Sequence, residues 1–548
     1  MADARLPAEA WREMLSEPRY DGVVETIHEL TADDGTHLSL TLYLPDGLPA
    51  DAQVPTVLEI TPYQTLDRGL GAALTPDGID PGSGWTEQVL RGMAFVRADA
   101  RGTHASAGCL DFGGPADRSD ARVFMDWIRA QPWSDGRIVT DGVSHPGMGS
   151  VVAHVADAGL TAAIATAPVV SYYMDEYFQG AHYDNQFNGA AYQAIELAPT
   201  TVVSANAVVA QAAPCTGQTT LDYDLLDGTW HALWQERDLT LAVQGHFAAG
   251  EPRDAPILLN HGFVDLAVQP DHSQIYWDAL PDDHAKAMIL GFWGHQWPDM
   301  EGHPAAYAEV RQRFFDHHLL GIDNGLEHEP RVLMEDSQGA WHESHDWPLD
   351  GSRPWTLWPS PAGLQGTPGE PAAMAYQDPL PTEQDAATGR LVFRTEPMQE
   401  DVLLSGQPVI ELVAASDQTQ TKWVAMLLDE APDGTQRHIS HAMTASQRQH
   451  EHDDEWRLLT PGEPRNWTMK ALPTGEVVEK GHRIVLELRS QWSNQLRPSS
   501  QCFDGYCPIG ILPSTTAGRA VNTVHLGDDG TRVHLFVSDP GATRMGGA

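Results

Sequence analysis

Between residues 36 and 300 short apolar runs alternate with helical segments, and no other feature of this 548-residue chain restricts its fold as much. The runs are His37 to Leu44, Pro55 to Ile60, Met93 to Ala98, Ile138 to Thr140, Thr161 to Ala167, Pro256 to Asn260 and Lys286 to Leu290. Continuous apolar strands separated by helices belong to a mostly parallel sheet covered on both faces. Such a sheet presents its sites at the carboxyl ends of its strands, so function is sought in the loops that follow them.

The pattern breaks twice. From about 172 to 250 it becomes helical, aromatic and alanine-rich, beginning Tyr172-Tyr173-Met174-Asp175-Glu176-Tyr177-Phe178-Gln179. An insertion there would lie over the carboxyl edge of the sheet as a cap. After about 350, Pro354-Trp355-Thr356-Leu357-Trp358-Pro359 and the Pro- and Gly-rich stretch from Pro361 to Pro371 signal a boundary. Beyond it come Val402 to Leu412, Lys422 to Leu428, Ile439 to Met443, Arg483 to Leu488 and Val521 to Leu526. Many short strands with few helices suggest a β-sandwich or jelly roll. The expected division is an α/β domain over 1–171 and 251–350, a cap over 172–250 and a β domain over 351–548.

Within the α/β part, Arg137-Ile138-Val139-Thr140-Asp141-Gly142-Val143-Ser144-His145-Pro146-Gly147 reads as a strand, a turn bearing a serine, and a helix start. This is the layout of a nucleophile elbow, although the spacing is G-x-S-x-x-G rather than G-x-S-x-G. An ordinary strand-to-helix turn fits the hexapeptide alone equally well. A serine hydroxyl attacks a carbonyl only when a base takes its proton, so Ser144 needs a histidine and an acid. In α/β hydrolases these follow in the order Ser, Asp or Glu, His, each after a later strand.

The chain offers one clean pair. The run Pro256 to Asn260 leads into His261-Gly262-Phe263-Val264-Asp265, and Lys286 to Leu290 leads into Gly291-Phe292-Trp293-Gly294-His295. Asp265 would hold the His295 imidazole in the tautomer that accepts the Ser144 proton. Asp271 and His303 are the fallback acid and base. For the oxyanion, the backbone N–H of His145 is one donor, and Tyr63, after the strand ending in Thr61-Pro62, is a candidate for the second.

These residues resemble the cocaine-esterase-like and X-Pro dipeptidyl-peptidase (CocE/NonD, S15-type) family of serine hydrolases, which includes α-amino-acid ester hydrolases and some cephalosporin acylases. The elbow is similar to that family's G-x-S-Y-x-G, and Thr61-Pro62-Tyr63 to its N-P-Y. Asp99-Ala100-Arg101-Gly102-Thr103, Trp127-Ile128 with Pro132-Trp133-Ser134-Asp135-Gly136, and Phe315 to Gly325 also resemble family signatures. The resemblance implies an α/β-hydrolase fold with a helical cap and a C-terminal jelly roll, the triad Ser144, Asp265 and His295, and Tyr63 as oxyanion donor. His145 stands where the family has tyrosine. Relatives acting on α-amino acyl groups carry carboxylates for the ammonium, two of them just after the triad aspartate. Here that stretch is the apolar Leu266-Ala267-Val268. Asp175 and Glu176 match the remaining acid position, or are a solvated helix start where acids favour the dipole.

Composition then limits partners. The formal charge is −43, from 76 acids and 33 bases, with only four lysines: Lys286, Lys422, Lys470 and Lys480. Nucleic acid and anionic membranes require clustered cations and are excluded as expected partners. A salt-rich habitat and a lysine-poor codon bias account for the acidity equally well. No run reaches the roughly 18 apolar residues of a membrane span, and no signal-peptide core follows Met1, so a cytoplasmic protein is expected. Cys109 and Cys215 stand alone in sequence, Cys502 and Cys507 are read as free thiols, and none has metal-ligand spacing. The run His450-Glu451-His452-Asp453-Asp454-Glu455 is read as a solvated loop. No metal or cofactor is expected; the partners are a small ester, amide or short peptide substrate and, as an open possibility, a second copy in a homo-oligomer.

The expected function is acyl-bond hydrolysis through an acyl-enzyme. An X-Pro dipeptidyl-peptidase is the nearest alternative, and a non-catalytic binding protein using the β domain the second.

Overall fold

The computed structural model describes residues 5–63, 84–179, 181–182, 230–251, 253–265, 267–378, 389–447, 457–490 and 520–545. Ten strands form the central sheet: β1 (Val23–Thr31), β2 (His37–Pro45), β3 (Val54–Thr61), β4 (Ala94–Asp99), β5 (Ser134–Val143), β6 (Ala162–Thr166), β9 (Ile257–Gly262), β10 (Lys286–Gly291), β11 (Val332–Glu335) and β12 (Trp341–Ser344). They lie in the order β1-β2-β4-β3-β5-β6-β9-β10-β11-β12. The interior from β4 to β11 is parallel, while β1, β2 and β12 add antiparallel edges. The inserted two-residue strands β7 (Tyr177–Phe178) and β8 (Ala181–His182) pair with each other.

Burial explains why the inner strands read as unbroken apolar runs. In β6 and β9 every residue is buried. On one face Leu259, Met288 and Leu290 join a core with Phe124, Val151, Val155 and Trp277 from three helices, Pro115–Arg129, His145–Ala156 and Asp271–Ala279. On the other, Val57, Val139 and Ile289 pack with Phe314, Phe315 and Leu319 of the helix Tyr307–Leu320.

From Arg353 onward the strands form a nine-stranded and a four-stranded sheet, with every recorded pairing antiparallel. The two share a core that includes Leu412, Trp423, Leu427, Trp467, Leu486 and Val533. The expected run Val402 to Leu412 is two strands, Val402–Gly406 and Val409–Ser416; Pro408 lies in the break, where a missing N–H interrupts the ladder.

The inserted segment is described at its ends, where it forms β7, β8 and the helices Tyr172–Glu176, Ala232–Glu236 and Leu239–Ala249; of 172–250, residues 180 and 183–229 lie outside the described residues. It touches the β domain, where Gln179 Nε2 donates to the Lys470 carbonyl and Thr444 Oγ1 to the Gln179 carbonyl. The His450–Glu455 run, Cys215, Cys502 and Cys507 also lie outside the described residues. Cys109 is disulfide-bonded, which corrects the reading of it as solitary: sequence separation does not limit which cysteines meet in space. Among the described residues no helix is long and apolar enough to cross a membrane.

Candidate active site

Ser144 sits between β5 and the helix His145–Ala156 with φ 67° and ψ −127°, a strained region for a side chain bearing a Cβ. Close packing around the turn enforces it. A Cβ on Gly142 would lie 2.4 Å from the Pro146 carbonyl carbon, and one on Gly147 would lie 2.4 Å from the Thr166 carbonyl oxygen. The glycine is delayed to 147 because that is where the first helical turn crosses the end of β6. Pro146 occupies the first turn, where a missing N–H forfeits no helical bond. Beneath the turn, Arg311 Nε donates to buried Asp141 Oδ2 at 2.7 Å, tying β5 to the helix on the opposite face.

Asp265 and His295 follow the ends of β9 and β10. These ends approach closely: a Cβ on Gly262 would meet the Trp293 carbonyl oxygen at 2.0 Å, and one on Gly291 would meet the Trp293 ring at 2.0 Å. Phe263 N–H donates to the Gly291 carbonyl at 2.7 Å, stitching the two loops together. Asp265 is fully buried, and its Oδ1 accepts from the amides of Ala267 and Val268 at 2.9 and 3.0 Å. Its Oδ2 accepts from His295 Nδ1 at 2.8 Å. That bond puts the proton on Nδ1 and leaves Nε2 of the neutral ring as the basic nitrogen.

The electrostatics match. Burial pushes the Asp265 carboxyl up, but His295 and His261 beside it outweigh that and hold it well below the usual carboxylate range. Burial alone would lower His295, yet the charge and hydrogen bond of Asp265 leave its imidazole above the ordinary histidine value.

Tyr63 brings its hydroxyl to 3.4 Å from Ser144 Oγ. Its own backbone N–H donates to Thr61 Oγ1 in the turn after β3. His145 heads the helix, where the first amides have no partner within the helix. Its ring lies edge-on to Tyr63 at 6.2 Å and 6.5 Å from Phe112, which stacks on Tyr172 at 4.4 Å. Both ring nitrogens are buried with no hydrogen-bond partner among the described residues, and burial lowers the imidazole to about 4, keeping it neutral at pH 7. Sequence reading did not find this aromatic wall, because Phe112 and Trp230 are distant in sequence from the elbow; their burial with Tyr173 and Trp234 is a tertiary property.

Other candidates fall elsewhere. His303 Nδ1 engages the Ala305 backbone, and Asp271 opens the helix Asp271–Ala279. Asp175 is 4% exposed, which overturns the reading of it as a solvated helix start; nothing is described of the Glu176 side chain. Among the described residues no cluster of His, Cys, Asp or Glu is arranged to hold a metal.

A parallel sheet with helices on both faces, a strained serine elbow and an Asp–His pair at the carboxyl edge define an α/β-hydrolase, here followed by a β-rich domain. The chain is a serine hydrolase. Residues 34–297 match the model of the X-Pro dipeptidyl-peptidase (S15) family, and residues 324–501 that of the X-Pro dipeptidyl-peptidase C-terminal non-catalytic domain. The chain is 27% identical over 485 residues to a putative Xaa-Pro dipeptidyl-peptidase of Streptomyces avermitilis, covering 75% of this chain and 69% of the relative. It is 24% identical over 544 residues to the cocaine esterase of Rhodococcus sp. (strain MB1 Bresler), covering 83% and 89%. A CocE/NonD family hydrolase from Staphylococcus aureus shares the fold with a TM-score of 0.74 at 15% identity, over 96% of this chain and all of that one (100%).

Proposed function

We propose that Ser144 attacks an ester or amide carbonyl, His295 takes its proton and passes it to the leaving group, and Asp265 orients the imidazole and stabilises its cation. Tyr63 and the His145 N–H hold the oxyanion, and water then clears the acyl-enzyme. The observation that carries this reading is the 2.8 Å bond between Asp265 and His295, at the edge where Tyr63 meets Ser144. Ser144→Ala is expected to cost on the order of 10⁶ in turnover, and Tyr63→Phe on the order of 10² to 10³. Full activity in Tyr63→Phe would move the second donor elsewhere.

For substrate, we favour esters and amides whose acyl group suits the aromatic wall of Phe112 and Tyr172. The apolar Leu266-Ala267-Val268 after Asp265 withholds the carboxylates that an α-ammonium would need. A second reading, an X-Pro dipeptidyl-peptidase, is favoured by the likeness to the putative Xaa-Pro dipeptidyl-peptidase of Streptomyces avermitilis and by buried Asp175 on the inserted helix. Rates on a simple aryl ester and on a Gly-Pro anilide, with Ser144→Ala as control, separate the two. A preference for the anilide that disappears in Asp175→Asn would establish the peptidase.

We read the two-sheet domain as a jelly roll and the compartment as the cytoplasm. The Cys109 disulfide runs against that compartment, since such bonds persist in oxidising ones; thiol trapping in intact cells decides it.

A further inference from the structure

Asp265 is shared by two histidines. Besides His295, it faces His261, the penultimate residue of β9, which is fully buried. His261 Nε2 lies 3.0 Å from the Val268 carbonyl oxygen and 3.5 Å from Asp265 Oδ2, and its Nδ1 lies 2.7 Å from Ser273 Oγ. A carbonyl can only accept, so Nε2 carries a proton and Nδ1 is free to accept from the Ser273 hydroxyl. One tautomer therefore satisfies every contact of a ring that has no access to water.

Two consequences follow from that placement. His261 and Val268 clasp the two ends of the loop that carries Asp265, so the carboxylate is fixed from outside as well as by the amides of Ala267 and Val268. The same N–H also faces the carboxylate oxygen that binds His295, and draws charge from it. Among the described residues the further titratable group coupled to this pair is His272, on the helix Asp271–Ala279. Its Nδ1 accepts from the Val170 N–H, and burial lowers it to about 3, so it stays neutral.

We propose that His261 is a positioning residue for the acid–base pair, one that fixes the Asp265 loop and, by sharing the oxygen that holds His295, sets how basic that imidazole is. This rests on the assignment of Asp265 and His295 as acid and base. Taking away the competing N–H leaves more charge on Asp265 for the His295 cation, so the His295 pKa rises and activity needs a higher pH.

The test is the pH dependence of fluorophosphonate labelling and of aryl acetate hydrolysis by the full chain. In His261→Phe the acid-limb midpoint is expected to move up by about 0.5 to 1 pH unit, a three- to tenfold slower rate below the midpoint. His261→Gln, which keeps an N–H, is expected to bring the midpoint most of the way back to the wild-type value. An unmoved midpoint with only a lower plateau is what a packing role gives, and overturns the proposal. Should His261→Phe fail to fold, Ser273→Ala weakens the same clasp and is expected to shift the midpoint in the same direction; no shift there overturns it equally. Asp265→Asn is run alongside. If it labels as fast as the wild type, the acid–base assignment falls and this proposal with it; if it collapses while the His261 variants keep the wild-type midpoint, only the proposal falls.

Discussion

Ser144 is strained at φ 67° while its neighbours are packed against β6 and Ile60, so the turn is held by its surroundings rather than by its own preference. The placement of Ser144, Asp265, His295 and Tyr63 just past strand ends was legible in sequence, because each stands within 5 residues of an apolar run and a strand end is where a parallel sheet presents its chemistry. His261 was quoted in the same stretch without a role: nothing in a linear pattern says that a buried histidine shares an oxygen with a base 34 positions away. The Asp265–His295 bond also fixes a kinetic expectation. A serine hydrolase needs its histidine neutral, and His295 is raised above its ordinary value. Therefore kcat/KM is expected to climb with pH through a midpoint above about 6.5, measured with an aryl ester. A midpoint below that value would mean that Asp265 does not charge-stabilise the imidazole.

At the level of elements, the inner strands were readable because burial on both faces forces them to be apolar throughout. The edges were not. β1 was missed because its burial is mostly lost: Val24 and Ile27 are exposed at 46% and 59%, and the run is interspersed with Glu25, His28 and Glu29. β11 and β12 are four residues each, too short for periodicity to register. The elbow carries the sharpest prediction at this scale. Gly147→Ala forces a Cβ against the Thr166 carbonyl oxygen, a backbone atom that cannot step aside. The variant is expected to lose about 1–3 kcal/mol of stability by thermal melting and at least tenfold in turnover, since relieving the clash moves the first helical turn that follows Ser144. Wild-type activity in a folded Gly147→Ala protein would show that the turn tolerates displacement.

The whole molecule carries a net charge of −43 across two domains whose seam includes the Ser337 N–H donating to the Gly475 carbonyl and the Val477 N–H donating to Ser337 Oγ. Self-repulsion at that charge opposes compactness and is screened by salt, with a Debye length of about 10 Å at 0.1 M. The melting temperature is therefore expected to rise between about 0.05 M and about 2 M KCl; a flat or falling response would show that the acids are already neutralised by local pairing. The shift from helical to β-rich character near 350 was legible from composition. The close approach of Gly475 in the β domain to the Phe263 ring, on the loop that carries Asp265, was not, because a Cβ there would meet that ring at 2.8 Å only through folding, and the local patterns of the two segments do not refer to each other.

The central claim is that Ser144 is made nucleophilic by His295 held on Asp265. The most direct measurement is fluorophosphonate labelling followed by peptide mapping of the adduct. The expected result is a single adduct on Ser144, absent in Ser144→Ala and slowed on the order of 10³-fold or more in His295→Ala. An adduct on another residue, or labelling of Ser144 at an unchanged rate without His295, would contradict it.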